Sequence, residues 1–168
     1  TQKPSSAASD VYKRQDDYLL AISSSLGTGR VQWPQLADAP IVFDMEEFTV
    51  HHNEQQSEQS LDPNTLPAFV FKAKRFQLKD KLIREVDLTA QSIHDGLFFS
   101  DINFAVEDLQ AHGQGSWRHI DKDNIWSEFS FDMTTTDLAD ALESLDYETG
   151  LRNGKGTIKT QMSWSNAP

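Results

Sequence analysis

The chain has 168 residues, of which 38% are apolar and 24% are charged; its formal net charge is −11 and it contains no cysteine. This length is sufficient for one domain with a hydrophobic core, and the composition is that of a globular chain. The acidic charge argues against nucleic acid as a partner, because phosphate backbones repel it, and the lack of cysteine excludes disulfides and thiolate metal sites.

The first segment, residues 1–15, is predicted to be a non-native artefact. Residues Ser5 to Gln15 read SSAASDVYKRQ, which resembles the in-frame translation of a transposon-type sequencing adapter, so this segment is excluded from the fold. The remainder, residues 16–168, is expected to be a fragment of a longer protein. No run in it approaches the roughly 20 consecutive apolar residues of a transmembrane helix, so no direct membrane span is predicted in the fragment.

Alternation of apolar and polar residues, the signature of half-buried strands, dominates the rest of the chain. The first strands are predicted within residues 16–52, where Ile41 and Phe43 belong to one apolar face. A polar loop follows over residues 53–66, and the main β segment covers residues 67–168.

The clearest alternation runs from Leu82 to Trp117. A turn signal at His94-Asp95-Gly96 divides it into the two strands of a hairpin. In the second of these strands, the pattern assigns Phe98, Ile102 and Phe104 to a common apolar face.

One short helix is predicted near residues 137–146. Thr136 or Asp137 can cap its N-terminus, and Leu138, Leu142 and Leu145 recur at helical spacing. The fold class is therefore mainly β, an antiparallel sheet with one short helix.

The apolar faces of these strands need a cover that a single short helix cannot supply. Three arrangements provide one: a sandwich of two sheets, a closed barrel, or a sheet curled into a trough that contains a ligand. Periodicity alone does not distinguish between them.

Several stretches after residue 66 match the pattern of a known family. They are LQAHGQGSW at Leu109–Trp117, TDLADAL at Thr136–Leu142, GKGT at Gly154–Thr157 and MSWSNAP at Met162–Pro168. In order and spacing they resemble the C-terminal region of AsmA-like proteins, specifically the YhdP branch. Met162 and Asn166 are mild departures from the leucine and glycine of that pattern.

The resemblance implies a fold, a location and an activity. Proteins of this branch are long envelope proteins of diderm bacteria, anchored in the inner membrane, whose strands form a curled, taco-like, repeating β-groove across the periplasm. Residues 16–168 would be a segment of that groove, which carries phospholipid between the inner and outer membranes. This role is non-enzymatic and needs no cofactor, and its partners are phospholipid acyl chains and the flanking segments of the same full-length protein.

The candidate groove residues are the apolar side chains that the strand pattern places on one face. Large flat or flexible side chains among them suit acyl chains, because they offer apolar contact without head-group selectivity. The candidates are Val86, Leu88, Ile102, Phe104, Leu109, Ala111, Phe129, Phe131, Met133, Ile158 and Met162.

Two other functions remain open at this point. The first is a structural or assembly scaffold for outer-envelope proteins, in which the same apolar residues fill a closed core and open strand edges bind partners. The second is a carbohydrate-active domain, a hypothesis that is supported only by the carboxylates of Asp44, Glu46 and Glu47.

No metal site is predicted. The five histidines, His51, His52, His94, His112 and His119, show no zinc-binding spacing.

Overall fold

A computed structural model describes residues 11–14, 17–36, 38–50, 61–79, 81–122, 124–144, 150 and 154–165. The strands are β1 (Val11–Arg14), β2 (Asp17–Ser24), β3 (Gly27–Pro34), β4 (Ile41–Val50), β5 (Phe69–Leu78), β6 (Lys81–Ile93), β7 (Gly96–Val106), β8 (Leu109–His119), β9 (Ile125–Thr135) and β10 (Gly156–Ser165). A 3-10 turn covers Pro63–Thr65, and one helix, α1, covers Leu138–Ser144.

The ten strands form a single sheet in chain order, from β1 at one edge to β10 at the other. Every neighbouring pair is antiparallel except β4 and β5, which are parallel. The strands of the described residues do not close into a barrel, because β1 and β10 do not pair with each other. The predicted mainly β fold with one short helix is confirmed. Val11–Arg14, which the sequence analysis excluded from the fold, pairs with β2 as an edge strand, and the origin of residues 1–15 stays a prediction.

The parallel pair requires a connection that returns along the sheet, since two parallel neighbours cannot be joined by a tight turn. Residues 61–68 are the described part of this connection. Pro63 is fully buried, and the 3-10 turn at Pro63–Thr65 lies against β7 and β8. Residues 53–60 of the predicted polar loop lie outside the described residues.

Small residues on β8 let the aromatic rings of its two neighbouring strands meet across it. On β8, a Cβ atom added to Gly113 or Gly115 would collide with the ring of Phe131 or Phe129. The rings of β7 and β9 consequently meet above β8, and the centroids of Phe99 and Phe129 are 5.4 Å apart. Strands separated by a third one lie roughly 10 Å apart, so the two rings must lean over the glycine of β8 to make this contact.

One face assignment from the sequence is wrong. Phe98 was expected to share the face of Ile102, but it pairs with Ser116 and lines a depression of mixed polar and apolar character on the outer face. The register shifts between Phe99 and Ile102, where a β-bulge inserts an extra residue. The bulge reverses the alternation, so the buried ring is that of Phe99 and not that of Phe98.

Helix α1 is held at its N-terminus by two carboxylates. Asp137 Oδ1 accepts a hydrogen bond from the backbone N–H of Ala139 at 3.0 Å, as the predicted cap requires. Asp108 Oδ2 accepts from the Thr136 hydroxyl at 2.8 Å and from the backbone N–H of Asp137 at 2.9 Å. The pKa of Asp108 is lowered mainly by the hydrogen bonds that the hydroxyls of Thr136 and Thr135 donate to it. Leu145, assigned to the helix by spacing, lies outside the described residues.

Candidate functional site

The two faces of the sheet differ in chemistry. We call the face that carries Phe71, Phe99 and Phe129 the inner face; its positions on the other strands follow from the pairing register. The strand ends form two rows, an upper lip that includes Ile41, Phe69 and His119, and a lower lip that includes Val50, Leu78 and Lys81. The described strands therefore form a trough with an apolar floor and two lips.

The first part of the trough, from β2 to β7, contains an open cavity of about 790 Å³. Its lining is apolar apart from the Ser24 hydroxyl, which the Leu26 backbone N–H contacts at 3.2 Å. The lining residues are Ile22, Ser24, Leu26, Gly27, Trp33, Ile41, Phe43, Met45, Phe48, Val50, Leu66, Pro67, Phe69, Phe71, Phe76, Leu88 and Phe99.

Aromatic rings from the parallel strands β4 and β5 form the floor of this cavity. The Phe71 ring lies 5.5 Å from Phe48, 6.1 Å from Phe76 and 6.3 Å from Phe43. Both strands skip one residue at the same level of the sheet. Met45 pairs with Ala73 on the inner face, and the next inner-face pair, Phe48 and Phe76, comes three residues later on each strand and not two. Both strands thereby return to the inner face with a phenylalanine, and the cavity keeps an unbroken apolar floor.

The second part of the trough, from β7 to β10, is filled. Ile102 and Phe129 belong to one buried cluster, against which Phe104 and Phe131 pack. Leu109, Ala111 and Met133 belong to a second cluster, which is closed by Ala141 of α1 and contacted by Ile158. Helix α1 thus covers the floor at this end, where Ala141 packs in the same cluster as Leu109 and Met133.

The sequence-derived candidates therefore fall into two groups. Leu88 alone of the eleven lines the open cavity, and Val86 is a half-buried inner-face neighbour on the same strand. The residues from Ile102 to Ile158 lie in or against the filled part, and Met162 on the edge strand β10 is 41% exposed. Contact of all eleven with lipid stays a prediction.

Sequence reasoning missed the aromatic side chains that form the open cavity. Phe43, Phe48, Phe69, Phe71 and Phe76 all lie on strand-like runs, but the two runs are separated by the polar connection. The high density of phenylalanine in these two runs was the signal in the sequence that could have identified them as cavity-forming strands.

An ion pair connects the crossover segment to the upper lip. His119 Nε2 and Asp62 Oδ1 are 2.9 Å apart, and the Ser92 hydroxyl donates to the Leu66 carbonyl at 3.2 Å on the same segment. The hydrogen bond to Asp62 raises the pKa of His119, and the same bond lowers the pKa of Asp62. Leu66 and Pro67 line the cavity, so this pair holds part of the cavity wall.

The His119–Asp62 pair is expected to stabilise the crossover segment most between about pH 3.8 and 6.5, the ordinary pKa values of the two groups. The contribution of His119 is complete below 6.5 and is lost as the pH rises through its raised pKa. That of Asp62 is present above 3.8 and is lost as the pH falls through its lowered pKa. An NMR titration should give a His119 pKa above 6.5 that falls back in Asp62→Asn. A value insensitive to that substitution would contradict the pairing.

Of the carboxylates and histidines suggested from the sequence, none that the structure describes lines the open cavity. Glu46 pairs with Lys74 at 2.8 Å and Glu47 pairs with Arg75, so two of the three suggested carboxylates are engaged in exposed ion pairs. Among the described residues, no group of three or more histidine, aspartate or glutamate side chains could bind a metal ion. His51 and His52 lie outside the described residues.

Within the described part of the chain, no helix has the length and apolar character needed to cross a membrane. In the comparison with known families, the family model described as YhdP protein matches residues 2–168. No curated protein and no solved structure matches the chain.

Proposed function

The chain belongs to the YhdP family, and from this premise we propose that it is a segment of a periplasmic groove that shields phospholipid acyl chains during transport between the inner and outer membranes. The family is one of bacterial envelope proteins and is not an enzyme family. An anchor in the inner membrane and a periplasmic location are parts of the same proposal.

One observation carries the proposal: the open cavity is lined almost entirely by hydrocarbon. Unpartnered apolar surface of this extent is unfavourable in water, and covering it with an acyl chain removes that cost. The cavity offers no charged lining group that would bind a polar metabolite. An acyl chain is the kind of ligand that such a surface favours.

The dimensions of the cavity also suit an acyl chain. Strands β2 to β7 span about 24 Å across the sheet, from five spacings of roughly 4.8 Å. One leaflet of a bilayer is about 15 Å of hydrocarbon, half of the total core. A chain of that length can lie along the floor, across the strands, without leaving the apolar surface.

The test is to purify the 168-residue chain without detergent from a diderm bacterium, extract it with organic solvent and identify the lipids by mass spectrometry. We expect phospholipid in about stoichiometric amount, absent from a control β-protein handled identically. A folded, lipid-free chain would contradict the proposal and favour a scaffold that binds other envelope proteins through its strand edges.

A further inference from the structure

The inner face carries almost no charge. Away from the bulge positions of Glu46, Lys74 and Glu85, the inner positions of β2–β10 are uncharged except at two places, His119 and Lys81. His119 is engaged by Asp62 at the upper lip. Lys81 is therefore the one permanent cation at a regular inner position of these strands, and it lies at the lower lip.

The register places Lys81 next to the open cavity. Lys81 pairs with Leu78 and Ile83 pairs with Phe76, while Leu78 pairs on its other side with Val50. Phe76 and Val50 both line the cavity. Lys81 thus continues a row of inner-face residues across β4, β5 and β6, beyond the last aromatic ring of the floor.

The neighbouring cations have different surroundings. On the outer face, Lys72 pairs with Asp87 at 3.0 Å, and Arg84 donates to the Glu107 carbonyl at 2.7 Å. Lys79 is in the turn between β5 and β6, with φ of 55° and its carbonyl accepting from Gln77 at 2.7 Å. Lys79 and Lys81 both belong to the part of the lower lip that adjoins the cavity.

On the basis of the proposed function, we propose that Lys81, supported by Lys79, binds the phosphodiester of the lipid whose acyl chain occupies the cavity. A lipid whose acyl chain lies on the floor near β5 and β6 can place its polar head at the lower lip, where the apolar lining ends. An ammonium group there offers charge-assisted hydrogen bonds to phosphate oxygens. Lys81 takes part in an interaction within the chain, and its three N–H donors allow the phosphate as a further partner.

The negative charge of the protein favours binding of an anionic head group at this site over the rest of the surface. With a net charge of −11, the surface as a whole repels an anionic head group. The sequence Lys79-Asp80-Lys81 at this turn carries a formal charge of +1, which offsets the repulsion locally beside the cavity. The site therefore orients the lipid, with its phosphate at the lower lip between β5 and β6, and distinguishes a phospholipid from an uncharged lipid with the same chains.

The test measures that distinction directly. The delipidated 168-residue chain is incubated with vesicles that contain phosphatidylglycerol and diacylglycerol with identical acyl chains, and the retained lipids are quantified by mass spectrometry. We expect the wild type to favour phosphatidylglycerol, and Lys81→Gln to lower that preference about tenfold, the loss of one charge-assisted hydrogen bond, with total acyl lipid unchanged. Lys72→Gln, the same charge change on the outer face, should leave the preference intact.

Several results would overturn the inference. A preference that is unchanged in Lys81→Gln, or lowered equally in Lys72→Gln, would leave the proposed function standing but remove Lys81 as the phosphate contact. Binding of inorganic phosphate alone that depends on Lys81, detected by phosphorus NMR, would assign the site to the free ion. A folded wild type that retains neither lipid would contradict the proposed function, and the inference with it.

Discussion

Replacing Phe71 with aspartate is expected to abolish lipid retention while the sheet remains folded. The Phe71 ring is at the centre of the cavity floor, within 5.5 to 6.3 Å of three other rings, and it is half-buried. Because the cavity is open, water can reach a carboxylate there in the empty protein. A bound acyl chain would remove that water, at a cost of several kcal/mol per buried charge, which corresponds to a loss of affinity of at least about a hundredfold.

The measurement is lipid recovered per chain, with far-ultraviolet circular dichroism of the same sample. Val70→Asp is the matched control, because it adds the same charge on the adjacent position of β5, whose side chain faces outward. We expect Val70→Asp to retain lipid at the wild-type level. Unfolding of Phe71→Asp alone would mean that the rings form an ordinary closed core, which is the scaffold alternative.

The strands and their hairpins were predictable from the sequence because they depend on local information. The alternation around Ile41 and Phe43 and the turn at His94-Asp95-Gly96 each specify a structure within a few residues. The structure has β4 at Ile41–Val50 and a two-residue turn at His94 and Asp95, before Gly96 with φ of 154°. The cap at Asp137 was predictable for the same reason.

The location of the open cavity was not predictable, because it depends on pairing between distant segments. The floor exists only where β4 and β5 lie side by side in parallel, and the connection between them is polar and carries no pairing signal. The bulge after Phe99 is a second limit, since one inserted residue exchanges the faces of Phe98 and Phe99. Candidates chosen from the cleanest alternation were therefore concentrated in the filled part of the trough.

Replacing Phe129 with alanine is expected to lower the free energy of unfolding by about 3–5 kcal/mol, the usual cost of deleting a buried aromatic ring. Phe129 is 6% exposed, and its ring lies 5.4 Å from Phe99, 5.6 Å from Trp164 and 6.4 Å from Phe131. Removing it leaves those three rings without a common partner. Urea unfolding measures the loss, and Phe98→Ala, on the outer face of β7, is the control, with an expected loss below about 1 kcal/mol.

The same variant tests whether the filled part of the trough is core or groove. If α1 and the rings around Phe129 are a permanent core, Phe129→Ala loses stability, and the molecules that remain folded retain as much lipid as the wild type. If acyl chains enter this part as well, the vacated space offers them more room, so that stability falls little and the lipid recovered per chain rises. The first result, which we expect, places the end of the lipid-accessible floor at β7, where the open cavity ends at Phe99. A lipid travelling along the trough would then have to leave over a lip before it reached α1.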